Sequence, residues 1–321
     1  MKNLLLTCLL SCALPFVLLS QPAGLNYDES KVPAYTLPDP LKFEDGRAVS
    51  NPAQWPARRA ELMTLFAEQM YGVMPTGGDR LKFEVLESDN QALGGLARRK
   101  QVRIYFGKRK KMPFMDLLIY LPANPTRRVP VILGLNFKGN HTVHIDPAIR
   151  LPQSWLANDA TFGVTENRAS EAGRGLRAGR WPIEMILGRG YGVATAYYGD
   201  IDPDFDDGFQ NGVHPLFYAE GQTQPKPKEW GSIAAWAWGL SRCMDYLLME
   251  PIVDPSRVIV MGHSRLGKAA MWAGVTDQRF AGMISNDSGC GGGAPGRPQF
   301  RENPPRLKKG LPPRVFGNFP P

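Results

Sequence analysis

The sequence predicts an α/β domain in which a mostly parallel sheet is covered by helices on both faces, giving three layers. One observation is the run VPVILGLNF at residues 129–137, which is nearly continuous in apolar residues, as in a strand buried on both faces. A second is that such runs alternate with amphipathic helical stretches along the chain. The third is composition: 321 residues that are 43% hydrophobic and 21% charged can bury a large core and are too apolar for intrinsic disorder.

The individual elements follow from the spacing of apolar residues. A helix is predicted over residues 53–71, because Leu62, Leu65 and Phe66 recur at helical spacing before Gly72. Further helices are predicted over residues 181–187 and 229–249. Strands are predicted over residues 81–86, 101–106, 114–121, 129–137, 192–198, 258–261 and 283–285.

The predicted domain spans residues 51–293, and the two ends of the chain differ from it in composition. Residues 1–20 are predicted to be a signal peptide, because Lys2 precedes an apolar run that is short for a membrane span; an uncleaved anchor helix is the alternative. Export to the periplasm or the extracellular space is therefore expected. Residues 21–50 are predicted to be an extended lead-in. Residues 294–321 contain eight prolines, which remove backbone donors, so an irregular Pro/Arg-rich tail is predicted there.

The net charge of +8 does not indicate a nucleic-acid partner. Residues 294–321 hold six lysines and arginines against one acid, Glu302, so this segment supplies +5 and the rest of the chain supplies +3. A nucleic-acid-binding protein usually carries a basic face built into its fold. We therefore expect no nucleic-acid partner, and no stable membrane partner is expected either.

The strongest chemical pattern lies at residues 258–272, VIVMGHSRLGKAAMW. A short apolar strand passes through a tight turn that carries Ser264 and continues directly into a helix, which is the context of a nucleophile elbow. The turn exposes the hydroxyl beside a helix N-terminus, where backbone donors can stabilise an oxyanion. The strict G-x-S-x-G pattern is not met, because Leu266 occupies the place of the second glycine and Gly267 follows. An ordinary strand-to-helix turn is the alternative interpretation.

The elbow resembles that of the glucuronoyl esterases, carbohydrate esterase family 15, in the pattern Gly262-x-Ser264-Arg265-x-Gly267-Lys268. Further motifs similar to the bacterial members of the family lie at residues 133–142, 180–182, 190–200 and 230–239, so that the resemblance covers roughly residues 50–293. It implies an α/β-hydrolase fold, three-layer α/β/α with a mostly parallel sheet and incomplete at the C-terminus. It also implies a serine esterase that cleaves the ester between 4-O-methyl-glucuronic acid on xylan and lignin alcohols.

The resemblance assigns roles to individual residues. Ser264 would be the nucleophile, and Arg265 would stabilise the oxyanion through its backbone N–H and its guanidinium. Lys268, one helical turn later, would bind sugar hydroxyls, and Glu302 would correspond to a second sugar-binding residue. Asp287 is the candidate acid, although many members have Glu there and some place the acid later. No cofactor and no metal are implied, and the partner would be glucuronoxylan or a lignin-carbohydrate ester.

The base that a serine nucleophile needs is missing from its expected place. In the α/β-hydrolase order the histidine follows the nucleophile and the acid, whereas His141, His144, His214 and His263 all precede Ser264. The ring of His263 is expected to point away from the Ser264 hydroxyl. His141 and His144 are expected to support structure or an oxyanion, and His214 to be solvated or to pack in a loop. The sequence therefore predicts a C-terminally truncated esterase that is essentially inactive.

Two charged clusters have alternative interpretations. The first, the aspartates of residues 200–207, alternates like a calcium loop but lacks the glycine and the glutamate that an EF-hand requires, so a solvated loop is expected. The second, the arginines of residues 168–180, is interpreted as a basic loop near the mouth of the site, suited to an acidic polymer. The clusters consist of Asp200, Asp202, Asp204, Asp206 and Asp207, and of Arg168, Arg174, Arg177 and Arg180, respectively.

Aromatic and thiol residues leave further alternatives open. Trp230 and Trp238 would be able to stack on sugars, whereas Trp236 shares a helix stripe with apolar residues and is expected in the core. Cys243 and Cys290 remain after the signal peptide, and the sequence leaves their pairing open. Two other functions also stay open: an esterase acting on other carbohydrate or acetyl esters, and a non-catalytic carbohydrate-binding homologue.

Overall fold

The computed structural model describes residues 26–75, 81–107 and 113–294, and it contains a seven-stranded sheet with the order β1-β2-β3-β5-β4-β6-β7. The predicted signal peptide and Glu302 lie outside these residues. The strands are β1 (Lys82–Gln91), β2 (Ala97–Tyr105), β3 (Phe114–Pro122), β4 (Val129–Asn136), β5 (Gly192–Tyr197), β6 (Val253–His263) and β7 (Gly282–Asn286). The α-helices are α1 (Trp55–Phe66), α2 (Ala92–Gly95), α3 (Ile183–Gly188), α4 (Ser232–Leu247) and α5 (Arg265–Thr276).

The direction of each strand follows from the connection that precedes it. β1, β2 and β3 are joined by short connections and pair in antiparallel fashion, as β3 does with β5. β5, β4, β6 and β7 are mutually parallel, and α3, α4 and α5 lie between them in the sequence as the crossovers that parallel pairing requires. All seven predicted strands are present, and together with the helices they confirm the predicted fold class.

The core lies on both faces of the sheet, as expected for three layers. On β3, Leu117 and Ile119 face the large cluster beneath α4 and α5, whereas Leu118 and Tyr120 face a smaller cluster with α3. Side chains of a strand alternate between the faces, so a strand covered on both faces must be apolar throughout. This explains the continuous apolar runs in the sequence.

Helix α4 is almost entirely buried, and its tryptophans belong to the core. Trp236 is fully buried as predicted, and its Nε1 donates to the Asp202 carbonyl at 3.0 Å. Trp230 and Trp238 are also buried, with ring centroids 5.2 and 5.7 Å from that of Phe217. The interpretation of these two tryptophans as sugar-stacking residues is therefore wrong, because the loop that carries Phe217 covers them.

Other expectations concern the N-terminal helix, the thiols and the membrane. The predicted helix at residues 53–71 is present as α1 followed by a π-helical turn, Ala67–Tyr71. Cys243 and Cys290 are both buried thiols rather than the two halves of a disulfide. Within the described ranges, no helix is both long enough and apolar enough to cross a bilayer.

Candidate active site

Ser264 occupies a strained turn between β6 and α5. Its backbone has φ 55° and ψ −130°, a region that non-glycine residues rarely adopt and that costs on the order of 1–3 kcal/mol. Neighbouring backbone groups hold the turn: the Ser264 N–H donates to the Asn286 carbonyl at 3.0 Å, and the Ser264 carbonyl accepts from the Gly267 N–H at 2.8 Å. The predicted strand–turn–helix geometry of an elbow is therefore present at this serine.

Close packing explains why the glycines of this elbow stand at positions 262 and 267. A Cβ at Gly262 would lie 2.0 Å from the Leu266 carbonyl oxygen, a fixed backbone atom. A Cβ at Gly267 would lie 3.1 Å from the Asn286 carbonyl oxygen, at the end of β7. The side chain of Leu266, in contrast, is buried in the core. The second glycine stands at position 267 rather than 266 because residue 267 is the one that faces β7 at close distance, whereas residue 266 faces the core.

The first turn of α5 supplies donors beside Ser264. The first N–H groups of a helix have no acceptor within the helix, and they carry the positive end of its dipole. The side chain of Arg265 projects from this turn and forms an ion pair with Asp204, with 2.6 Å between Nη2 and Oδ2. Its guanidinium carbon also lies 5.1 Å from the centre of the Phe137 ring. The backbone N–H and the guanidinium of Arg265 thus lie at the start of α5, and their role toward an oxyanion remains a prediction.

Lys268 lies one turn further along α5, and its side chain is buried. Only 4% of the residue is exposed, and Nζ donates to the Ser288 carbonyl at 2.5 Å. In this position the ammonium group fixes the segment after β7 to α5. A role in binding sugar hydroxyls remains a prediction.

Asp287 lies beside the elbow at the end of the neighbouring strand. Strand pairing places His263 opposite Asn286, so the next residues, Ser264 and Asp287, leave the sheet at the same edge. Asp287 has a φ of 47° and an exposed side chain, and it has no hydrogen-bond or ion-pair partner in residues 26–75, 81–107 and 113–294. Its carboxylate is therefore available at the edge where Ser264 lies.

Comparison with known proteins decides the family. A model of fungal glucuronyl esterases matches residues 211–305, which include the elbow. Carbohydrate esterase MZ0003, from an unknown prokaryotic organism, is 52% identical over 294 residues, which is 91% of this chain and 68% of that protein. The chain belongs to the glucuronoyl esterases, carbohydrate esterase family 15. Its relatives support carboxylic ester hydrolase activity.

Solved structures of glucuronoyl esterases agree with this assignment. A promiscuous esterase of the family from a marine bacterial metagenome is 51% identical with a TM-score of 0.84, over 92% of this chain and 73% of that one. The glucuronoyl esterase from Solibacter usitatus is 46% identical with a TM-score of 0.83, over 90% of this chain and 73% of that one. The fold of the described residues is thus the α/β-hydrolase fold of this family.

His144 and His263 make hydrogen bonds to residues other than Ser264. His263 Nδ1 accepts from the Asn286 side-chain amide at 2.9 Å. His144 uses both nitrogens, because Nδ1 accepts from the Asp146 N–H at 3.0 Å and Nε2 lies 2.8 Å from the Glu184 carboxylate. These contacts hold the rings on the side of β7 and α3, which agrees with a structural role.

The other two histidines are buried. His141 is 1% exposed, and burial together with the charge of Arg174 lowers its pKa to about 4, so the ring is neutral at pH 7. His214 is fully buried, with ring centroids 4.6 Å from Phe209 and 5.0 Å from Trp230. The packing role expected for His214 is confirmed, and the solvated alternative is wrong. Among the residues that the structure describes, no histidine is hydrogen-bonded to Ser264.

The aspartate-rich segment is not the solvated loop that the sequence predicts. Asp200 and Asp202 are both buried, and Asp200 accepts from the Ser154 hydroxyl at 2.5 Å and from the Asp116 N–H at 3.2 Å. These donors replace water around the carboxylate. Burial and then the charge of Asp116 raise the pKa of Asp200 to about 7. Only Asp206 is exposed in the way expected.

Asp200 is expected to make the fold less stable as the pH rises. The pKa of Asp200 is 3.8 in the unfolded chain and about 7 in the folded one. The stability that the buried, protonated carboxyl contributes is therefore complete below pH 3.8 and is lost as the pH rises through about 7. D200N removes this titration and keeps a carbonyl acceptor. Between pH 5 and pH 8, its free energy of unfolding should rise by about 2 kcal/mol relative to the unchanged chain, as urea unfolding would measure. D206N, at an exposed carboxylate, is the control, and a D200N curve parallel to the unchanged one would contradict this account.

The arginine-rich segment stabilises its own loop. Arg174 donates to the carbonyls of Asp146 and Ile149 at 2.8 and 2.9 Å and pairs with Glu171 at 2.6 Å. The guanidinium carbon of Arg177 lies 4.8 Å from the centre of the Phe162 ring. The donors of Arg174 are thus used within the fold, and the interpretation of this segment as a basic loop near the mouth of the site remains a prediction.

Sequence reasoning missed the residues that surround the Arg265 guanidinium. Asp204 was assigned to a solvated loop, and Phe137 and Tyr198 were treated only as parts of strands. The available signal was topological: Phe137 follows β4 and Tyr198 follows β5, so both lie at the same edge of the sheet as Ser264. Residues that follow parallel strands at this edge are where ligands bind in open α/β sheets.

Proposed function

We propose that this glucuronoyl esterase homologue acts on esters of 4-O-methyl-glucuronic acid carried by xylan, including lignin-carbohydrate linkages. The observation that carries the proposal is the strained elbow at Ser264, in a chain 52% identical to a carbohydrate esterase. The relative from Cerrena unicolor, a 4-O-methyl-glucuronoyl methylesterase, is 26% identical and this chain spans 44% of its length. Its activity supports the substrate class proposed here.

Ser264 would act as the nucleophile of acyl transfer. Its oxygen bonds to the ester carbonyl carbon while a base takes the hydroxyl proton, and collapse of the tetrahedral intermediate breaks the ester C–O bond. The alcohol leaves with that proton, and water then releases the uronic acid from the serine. The Arg265 backbone N–H and guanidinium would stabilise the negative oxygen, because they lie beside the serine at the positive end of α5.

The remaining roles are proposed for the same edge of the sheet. Asp287 would be the acid that orients the base, since it leaves the sheet beside Ser264 and its carboxylate is exposed. Lys268 and Glu302 would bind the sugar. Lys268, whose Nζ also donates to the Ser288 carbonyl, would do so through its ammonium group. Secretion by an N-terminal signal peptide is also proposed, and it would bring the protein to its polymeric substrate.

The position of the base limits what residues 1–321 can do alone. No histidine follows Ser264 in these residues, His144 and His263 are bonded to other residues, and no described histidine is hydrogen-bonded to Ser264. We propose that residues 1–321 bind the uronate ester and hydrolyse it essentially not at all. A broader ester specificity is the second candidate, because the relative at 51% identity is described as promiscuous.

Ligand binding tests the proposal without requiring turnover. We expect residues 1–321 to bind methyl 4-O-methyl-glucuronate about tenfold more tightly than acetylated xylose, because Arg265 would meet the carbonyl next to the uronate ring. Titration followed by NMR would measure both dissociation constants. Replacing Ser264 with tryptophan, which fills the site, should abolish binding. Preferential binding of the acetyl ester would favour the second candidate and contradict the first.

A further inference from the structure

The guanidinium of Arg265 is held along one edge by two acidic or polar groups. Nη2 lies 2.6 Å from Asp204 Oδ2 and donates to the Tyr198 hydroxyl at 3.2 Å. The Tyr198 hydroxyl in turn donates to the same Asp204 oxygen at 2.9 Å. Nη2 is therefore held by this pair through one hydrogen bond and one ion pair.

The pair itself is fixed by the core. Tyr198 is buried, and its ring lies 5.0 Å from that of Trp236 and 5.6 Å from that of Phe137. Trp236 also bonds the Asp202 carbonyl, two residues before Asp204, at 3.0 Å. The carboxylate of Asp204 thus extends from a backbone anchored to α4, which leaves Arg265 little freedom to turn.

The same edge of the guanidinium carries a further donor beside Nη2. The Nε atom of Arg265 is buried, and within residues 26–75, 81–107 and 113–294 it has no hydrogen-bond partner. Arginine has five N–H bonds in a rigid fork, so fixing Nη2 also fixes the direction of Nε–H. A buried N–H without an acceptor costs free energy, and a ligand oxygen would remove that cost.

We propose that Asp204 is a positioning and specificity residue that holds Arg265 and cancels its net charge, so that the site prefers a neutral uronate ester to the uronate anion released by hydrolysis. This inference rests on the proposed function. A fixed N–H still stabilises an oxyanion at hydrogen-bond distance, whereas the long-range attraction of Arg265 for a carboxylate is offset by the nearby negative charge of Asp204. The site thereby releases its product.

The test compares two ligands that differ in charge. Dissociation constants of methyl 4-O-methyl-glucuronate and of 4-O-methyl-glucuronate are measured for residues 1–321 by calorimetry. D204N should tighten binding of the anion about tenfold at moderate ionic strength, since one of two opposing charges is removed, while ester affinity changes far less. D204E, which keeps the charge, should retain the original ratio of the two constants.

Matched variants separate this effect from general charge and from misfolding. D206N makes the same charge change at an exposed residue nearby and should leave the ratio within about twofold. In an R265Q background, D204N should no longer affect the ratio, because the cation that it releases is absent. An unchanged ratio in D204N, or an equal change in D206N, overturns the inference while ester binding still supports the proposed function. Failure of every variant and of the unchanged chain to bind either ligand overturns both.

Discussion

Residues 1–321 are expected to hydrolyse methyl 4-O-methyl-glucuronate about six orders of magnitude more slowly than a glucuronoyl esterase with a complete triad, because no histidine in the described part of the chain is hydrogen-bonded to Ser264. Methanol release by this chain and by the Solibacter usitatus relative would be compared at equal concentration. S264A should lower the residual rate by no more than about threefold, since members of a triad act as a unit.

Adding imidazole tests whether the lack of a base is the reason for the low rate of hydrolysis. A small free base should raise the rate of the unchanged chain and leave that of S264A unaffected, because only the former has a hydroxyl to deprotonate. Turnover close to that of the complete relative would contradict the account and would place the base among the four histidines. Single replacements of His141 and His263 would then identify it.

Gly262→Ala is expected to have the largest effect on stability of any conservative change at the elbow. The added Cβ would lie 2.0 Å from the Leu266 carbonyl oxygen and 2.4 Å from its carbon, and neither backbone atom can move without unwinding the start of α5. A loss of about 3–5 kcal/mol is expected, which is comparable to the whole stability of a marginal domain. Urea unfolding followed by circular dichroism would measure it.

Gly188→Ala is the matched control for this change. Gly188 ends helix α3, and a Cβ there would meet no atom within 4 Å. Alanine also favours the helix over glycine, so the free energy of unfolding should be unchanged or rise by up to about 1 kcal/mol. Equal destabilisation by both variants would show that close packing at Gly262 does not decide the stability of the elbow.

The strand pattern was predictable because both faces of the sheet are covered. Val129, Val131, Leu133 and Leu135 of β4 belong to the cluster beneath α4, and because helix α3 covers the other face of the sheet, the positions between them are mostly apolar as well. The antiparallel pairing of β1, β2 and β3 was not predicted. It depends on how short connections return the chain, and apolar runs alone carry no direction.

Burial of polar residues was where sequence reasoning failed. Asp200 and Asp202 have the composition of a solvated loop, yet both are buried, and Asp200 accepts from Ser154 and Asp116, which lie 46 and 84 positions away in the chain. A polar side chain is stable in the interior when such partners are present, and their presence is not visible in the local sequence. Trp230 and Trp238 failed similarly, because a separate loop covers them.

By itself, the sequence determined the α/β class, the turn that carries Ser264 and the resemblance to one esterase family, because each depends on residues that are close together in the chain. Only the tertiary structure decided that Gly267 faces β7, that Asp287 leaves the sheet beside the serine and that Asp204 and Tyr198 hold Arg265. Those relations join residues up to 67 positions apart. They depend on the order in which the strands pair, and strand order is set by the packing of the whole sheet.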